Sequence, residues 1–181
     1  WGLYETTVNR GHLFIGTSHE TPAFAVTALA RWWTRTGQRR YPQANRLLIL
    51  ADGGGSNGSR NRAWKHQLQT RFCNRFGLKV TVCHYPPGTS KWNPIEHRLF
   101  SQISKNWAGQ PLETYETILK FIRTTKTKTG LTVTATMLDG GYPLGVKTSE
   151  AKMAEVHLHS HRVLPMWNYT LVPASARKPK M

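Results

Sequence analysis

Two acids stand where a carboxylate could do chemistry. Asp52 ends the apolar run LLILA and precedes the cluster GGGSNGSR, and Glu96 lies three residues after Asn93 in WNPIEHRLF. Between them the chain carries Arg60, Arg62, Lys65, Arg71, Arg75, Lys79 and Lys91 and no other acid. Ligands of open α/β sheets gather at the carboxyl ends of strands, which is where Asp52 falls. Each acid also has a plainer reading. A strand-end aspartate can simply open an Asx turn or cap the next helix. With Asn93 as N-cap and Pro94 at the first helical position, Glu96 falls where a capping-box glutamate reaches back to the cap. The same carboxylate can hold a metal, and the two roles compete for its oxygens.

Gly53, Gly55 and Gly58 reproduce the G-x-G-x-x-G spacing of dinucleotide-binding folds in a strand-to-helix context. Such a site needs an acid about 20 residues further on, at the end of the next strand, to bind a ribose hydroxyl. Here the next strand, KVTVCH, ends in His84, and the acid precedes the glycines, where its charge opposes a pyrophosphate. No Gly-Lys-Ser/Thr closes the segment as a phosphate loop requires. These departures argue against a nucleotide cofactor, and Ser56 and Asn57 are expected to shape the loop rather than react.

Four further residues are placed to meet a nucleic acid. Lys91 can pair a phosphate and Trp92 can stack on an unpaired base; the plainer reading is a surface lysine and a core tryptophan. Arg60 and Arg62 can pair phosphates or simply stand in solvent. His157, His159 and His161 alternate as a strand-borne metal triad would, yet HLHSHR reads equally as basic surface. The chain has 25 Lys and Arg against 9 Asp and Glu, a net charge of +16 spread along its length. That field favours a polyanion, nucleic acid ahead of an anionic membrane surface. No apolar run approaches a membrane span and no signal-peptide pattern opens the chain, so a cytoplasmic protein is expected. Cys73 and Cys83 form no C-x-x-C pair and read as reduced thiols.

The elements that must position these residues follow from periodicity. At 181 residues one main core is expected. Residues 1–17 read as a hairpin around an Asn9-Arg10-Gly11 turn. Thr21 caps a helix with Pro22 in its first turn, and Gly37 is expected to stop it. Arg46 to Asp52 reads as a strand buried on both faces. A helix from about Ser59 to Arg75 places Trp64, Leu68 and Phe72 on one stripe. Lys79 to His84 is a strand. A helix opening at Asn93 stacks Ile95, Leu99 and Ile103, and another follows around Tyr115, Ile118 and Ile122. Leu131, Val133, Ala135 and Met137 alternate with threonines as a one-sided strand. Ser149 caps a short helix, WNYTLV is a last strand, and the tail PASARKPKM is expected to be disordered. The order is α/β layering.

Several stretches resemble one known family. TSKWNPIEHRLFS, with Asn-Pro-Ile-Glu after a proline-rich turn, resembles the third-acid motif of DDE transposases. Together with LLILADGGGSNGSR, RWWTRTGQRRYP, VCHYPPGTSKWN, NWAGQPLETYE and the terminal WNYTL, it is similar to the Rhodopirellula-type DDE transposases of bacterial insertion sequences. The resemblance runs over essentially the whole chain. It implies an RNase H-like core, a mixed sheet flanked by helices, holding two Mg²⁺ (or Mn²⁺) ions between three carboxylates. It implies DNA as partner, both transposon ends and target, a homo-oligomeric synaptic complex, and a location at the bacterial nucleoid. By motif, Asp52 is the second acid and Glu96 the third.

The first acid of the family lies on a strand upstream of the hairpin, and neither Glu5 nor Glu20 sits in that context. The expectation is therefore a core over 1–127 that lacks its first strand, followed by a C-terminal extension over 128–181. Such a chain is expected to be inactive in DNA cleavage by itself and to leave two strands with unpaired edges, inviting low stability or oligomerisation. The alternative function is a DNA-binding remnant without catalysis.

Overall fold

The computed structural model describes residues 1–86 and 88–174, so residues 175–181 of the basic tail lie outside the described residues. In chain order the elements are β1 (Gly2–Glu5), β2 (Arg10–Gly16), α1 (Pro22–Trp32), β3 (Arg46–Ala51), α2 (Arg62–Leu68), β4 (Lys79–His84), α3 (Ser101–Asn106), α4 (Tyr115–Thr124), β5 (Thr132–Leu138), α5 (Glu150–Ala154), β6 (Leu158–Ser160) and β7 (Asn168–Leu171). Three helices are extended by π turns. Trp33–Gly37 continues α1 into Gln38–Arg40, Gln69–Cys73 continues α2 into Asn74–Phe76, and Glu96–Phe100 leads into α3. The strands form two mixed sheets, ordered β1-β2-β5 and β3-β4-β7-β6.

The chain divides into two compact units, Trp1–Glu20 with Pro87–Tyr142 and Thr21–Pro86 with Pro143–Met181. Neither is a continuous stretch, and residues 128–181 are shared between them.

In the first unit β1 and β2 form the expected hairpin, but the turn sits earlier than its glycine suggests. It spans residues 6–9, with Asn9 at φ 52°, and Arg10 and Gly11 already belong to β2. Asn tolerates that left-handed conformation. Gly11 serves packing instead: a Cβ there would stand 2.3 Å from Leu99 Cδ1. β5 runs parallel to β2, from Arg10↔Thr132 to Gly16↔Leu138. Its Val133 and Ala135 join Leu13, Leu99, Ile103, Ile122 and Leu131 in one buried cluster, while Thr132 and Thr134 face outward. Across the sheet, the buried Glu5 carboxylate meets His12 Nε2 at 2.7 Å, and His12 Nδ1 lies 2.8 Å from Thr134 Oγ1.

The second unit starts as expected, with Thr21 Oγ1 accepting the Phe24 N–H at 3.4 Å ahead of α1. Gly37 does not stop the helix. It lies inside the π turn, where a Cβ would come within 2.4 Å of the Trp33 ring, and the helix runs on to Arg40. α2 opens at Asn61, whose Oδ1 accepts the Trp64 N–H, and the predicted stripe of Trp64, Leu68 and Phe72 is fully buried. β3 and β4 are parallel, and β7 is antiparallel to β4, so Ile49, Val82 and Tyr169 share one face. α2 binds that face through Trp64 and Tyr169.

β3 departs from expectation. Its apolar run predicts burial on both faces, yet Leu48 and Leu50 are 60% and 47% exposed. β3 is an end strand of its sheet, and the pleat turns Leu48 and Leu50 to the face opposite α2. A continuous apolar run identifies a strand without showing that both faces are covered.

Candidate metal and nucleic-acid site

Asp52 is positioned by the strand end and by its neighbours. The parallel register pairs Ala51 with His84, which brings the His84 ring beside the residue that follows β3. His84 Nδ1 lies 2.9 Å from the Asp52 backbone oxygen, and His84 Nε2 lies 3.4 Å from the Tyr169 hydroxyl. The Tyr169 hydroxyl in turn accepts the Trp64 indole N–H at 3.0 Å. A carbonyl only accepts, so Nδ1 carries the proton. Tyr169, already an acceptor from Trp64, therefore donates its own proton to Nε2. The relay runs Trp64 to Tyr169 to His84 to Asp52, with Tyr169 and His84 each accepting one hydrogen bond and donating another.

The relay requires a neutral imidazole, and burial favours one. Desolvation holds the His84 pKa below its usual value, against the raising effect of the bond to Asp52. Desolvation also raises the Tyr169 phenol and lowers the Lys65 ammonium, whose Nζ sits 5.2 Å from the Tyr169 ring centroid.

The glycine loop beyond Asp52 wraps back on it. With its amide nitrogen turned toward acceptors, Asn57 donates to Asp52 Oδ1 and to the Gly54 carbonyl, each at 3.2 Å. Gly55 adopts φ 66°, and a Cβ on Gly53 would meet the Tyr85 carbonyl at 3.2 Å. The glycines thus let the backbone turn tightly behind an exposed carboxylate.

Glu96 opens the π turn that leads into α3. Asn93 caps this segment, its Oδ1 accepting the Ile95 N–H at 3.4 Å. The Glu96 carboxylate is exposed and makes no hydrogen bond or ion pair among the described residues, so it does not act as a capping-box partner. Just ahead, Lys91 and Trp92 lie in a 3₁₀ turn. Trp92 is 66% exposed rather than in the core, and Lys91 Nζ sits 5.1 Å from its ring centroid. His97 Nε2 meets the Lys91 carbonyl oxygen at 2.7 Å and ties that turn to the helix.

Arg60 is exposed, whereas Arg62 is engaged with Glu150 on α5 at 2.6 Å. That bond holds the Glu150 carboxyl below its usual range. His161 Nε2 lies 2.9 Å from Thr170 Oγ1. Among the described residues no three His, Cys, Asp or Glu side chains are grouped to hold a metal ion, which covers both the histidine triad and a complete three-carboxylate site. Asp52 and Glu96 are hard oxygen donors of the type Mg²⁺ prefers, but they belong to different units and do not make up the number a two-ion site uses.

His84, Tyr169 and Trp64 escape a linear reading. Trp64 and Tyr169 are 105 residues apart, and the one local signal is a histidine ending the strand beside Asp52. No helix among the described residues is long and apolar enough to cross a membrane.

The chain is thus a mixed α/β protein with an exposed carboxylate at a strand end and a second at the start of a helical segment. The Rhodopirellula transposase DDE domain family matches residues 1–173, and the chain belongs to that family. No curated protein and no solved structure matches it.

Proposed function

We propose that this chain is the catalytic domain of a transposase that cuts and joins DNA with divalent metal ions, in which Asp52 and Glu96 are two of three carboxylate ligands. The observation that carries the reading is Asp52. Its carboxylate stands in solvent at the end of β3, steered by Asn57, while its backbone is fixed by a buried relay that ends on its own carbonyl. The exposed carboxylate of Glu96 adds to it, being without a hydrogen bond or ion pair among the described residues and a few residues beyond Lys91 and the exposed Trp92.

Two Mg²⁺ or Mn²⁺ ions held there would activate a water or 3′-hydroxyl and stabilise the leaving oxygen at phosphorus. Lys91 and Trp92 are the residues that would hold a phosphate and an unstacked base near Glu96, and Arg60 another phosphate. Arg62 would have to leave Glu150 to contribute. An RNase H-like arrangement is supported by the antiparallel β1–β2 hairpin and by the parallel β3–β4 pair. With two carboxylates the chain alone should hold metal weakly and be inactive in strand cleavage. A synaptic oligomer would complete the function.

The test is Mn²⁺ binding followed by water-proton relaxation, alongside plasmid cleavage in Mg²⁺ or Mn²⁺. Weak Mn²⁺ binding that falls in both D52N and E96Q supports the assignment, and binding unchanged in both variants overturns it. Robust cleavage by the chain, abolished in D52N, would overturn the inactivity and leave the ligand assignment standing.

A further inference from the structure

Four arginines gather on the second unit, away from Asp52 in sequence and unassigned by the reading above. Arg31 on α1 and Arg35 on its π turn line one wall of a groove, and Arg71 and Arg75 on the continuation of α2 line the other. Val26, Ala30, Thr27 and Thr34 complete the lining. All four arginines are exposed and none forms an ion pair among the described residues. The only acid in residues 21–86 is Asp52.

The groove is a built feature. The two π turns meet beneath it, with the Trp33 and Phe72 rings edge to face at 6.2 Å and Phe72 packed on Phe76 at 5.2 Å. Arg75 lies over the Phe76 ring, its guanidinium carbon 5.1 Å from the centroid, which limits how it can move. π turns within α-helices occur often at functional sites, and here both fall at the groove. Four like charges facing one another across a helix pair repel, and nothing in the lining neutralises them. An anionic ligand with several regularly spaced charges removes that repulsion.

We propose that this groove docks the phosphate backbone of DNA, as a second binding surface separate from Asp52 and Glu96. Arginine forks bind phosphate bidentately, whereas the Val, Ala and Thr lining offers little to discriminate base edges. Binding there is independent of sequence and acts by holding flanking DNA. The inference rests on DNA being the partner, but not on metal binding or catalysis.

The test uses the full chain and a fluorescent 30-base-pair duplex in EDTA, with anisotropy measured across KCl concentrations. The variant R31A/R35A/R71A/R75A should weaken binding at least about tenfold and flatten the slope of log affinity against log salt by about 3–4. A control that removes the same charge from exposed lysines elsewhere, K105A/K120A/K128A/K147A, should change the slope by less than about 1. Replacing all four arginines by lysine should restore much of the slope, and thermal melts verify folding. Should the groove variant not fold, R31A/R35A alone should lower the slope by about 2. Equal losses in the groove and control variants, or no duplex binding by the unsubstituted chain at low salt, overturn the proposal. The duplex assay runs in EDTA and the Mn²⁺ relaxation assay runs without DNA, so failure of the metal-site assignment reads out separately from failure of the groove.

Discussion

His84 Nδ1 stands 2.9 Å from the backbone carbonyl oxygen of Asp52, so the residue closing β4 fixes the residue that leaves β3. Behind it the chain of bonds passes through the Tyr169 hydroxyl to the indole of the fully buried Trp64. The candidate ligand is therefore coupled to the core of its unit rather than carried on an unsupported loop.

Tyr169→Phe removes the acceptor for Trp64 Nε1 and the donor for His84 Nε2 together, leaving buried polar atoms without partners. The expected cost is about 1–3 kcal/mol, read as a lowered urea midpoint with an unchanged m-value. The Trp64→Phe/Tyr169→Phe double variant should cost less than the sum of the two single changes, because either one already loses the shared bond.

Cys73 donates its thiol to the Leu78 carbonyl at 3.0 Å, and burial pushes its pKa up to about 11 from 9.0. With the folded-state value raised, the unfolded chain loses the proton first. The thiol's contribution is whole below about 9 and is lost as pH rises toward 11. Urea midpoints of the unsubstituted chain should fall relative to those of Cys73→Ala across that window. At pH 8 a thiol reagent should modify the half-buried Cys83 well before Cys73.

Gly11 and Leu99 share one space, so both directions of change should hurt. Leu99→Ala opens a cavity in the cluster with Ile103, Ile122 and Val133, costing about 2–5 kcal/mol. Gly11→Ala drives a methyl into Leu99 and should cost about 1–3 kcal/mol. Combining the two should cost less than their sum, since the new methyl enters the vacated space; thermal or urea melts of the three variants would show it.

Leu48 and Leu50 on end strand β3 present an apolar face with an unpaired backbone edge, the feature that lets sheets pair between chains. Leu48→Lys with Leu50→Lys should raise solubility and reduce association in light scattering while changing the melting temperature little. A large loss of stability instead would mean that these side chains are covered in solution.

Much of the layout was legible along the chain. The caps at Thr21 and Ser149, the stripe of Trp64, Leu68 and Phe72, the one-sided strand β5 and the parallel-strand segments β3 and β4 follow from local propensity and period, which act over a few residues. The family was legible too, because its motifs are contiguous. Glycine was the least reliable guide: Gly11 and Gly37 are small because a leucine and a tryptophan press against them, which a turn rule cannot foresee.

By itself, then, the sequence determined most of the elements, the basic field, the family and the position of Asp52 at a strand end, all properties of residue type and near neighbours. Only the tertiary structure decided which face of β3 stays open, that Trp92 stands in solvent, that Arg62 is engaged by Glu150, and that His84 and Tyr169 hold the Asp52 backbone. Those outcomes depend on pairings between segments far apart in the chain, and no local pattern records which distant partner a side chain will meet.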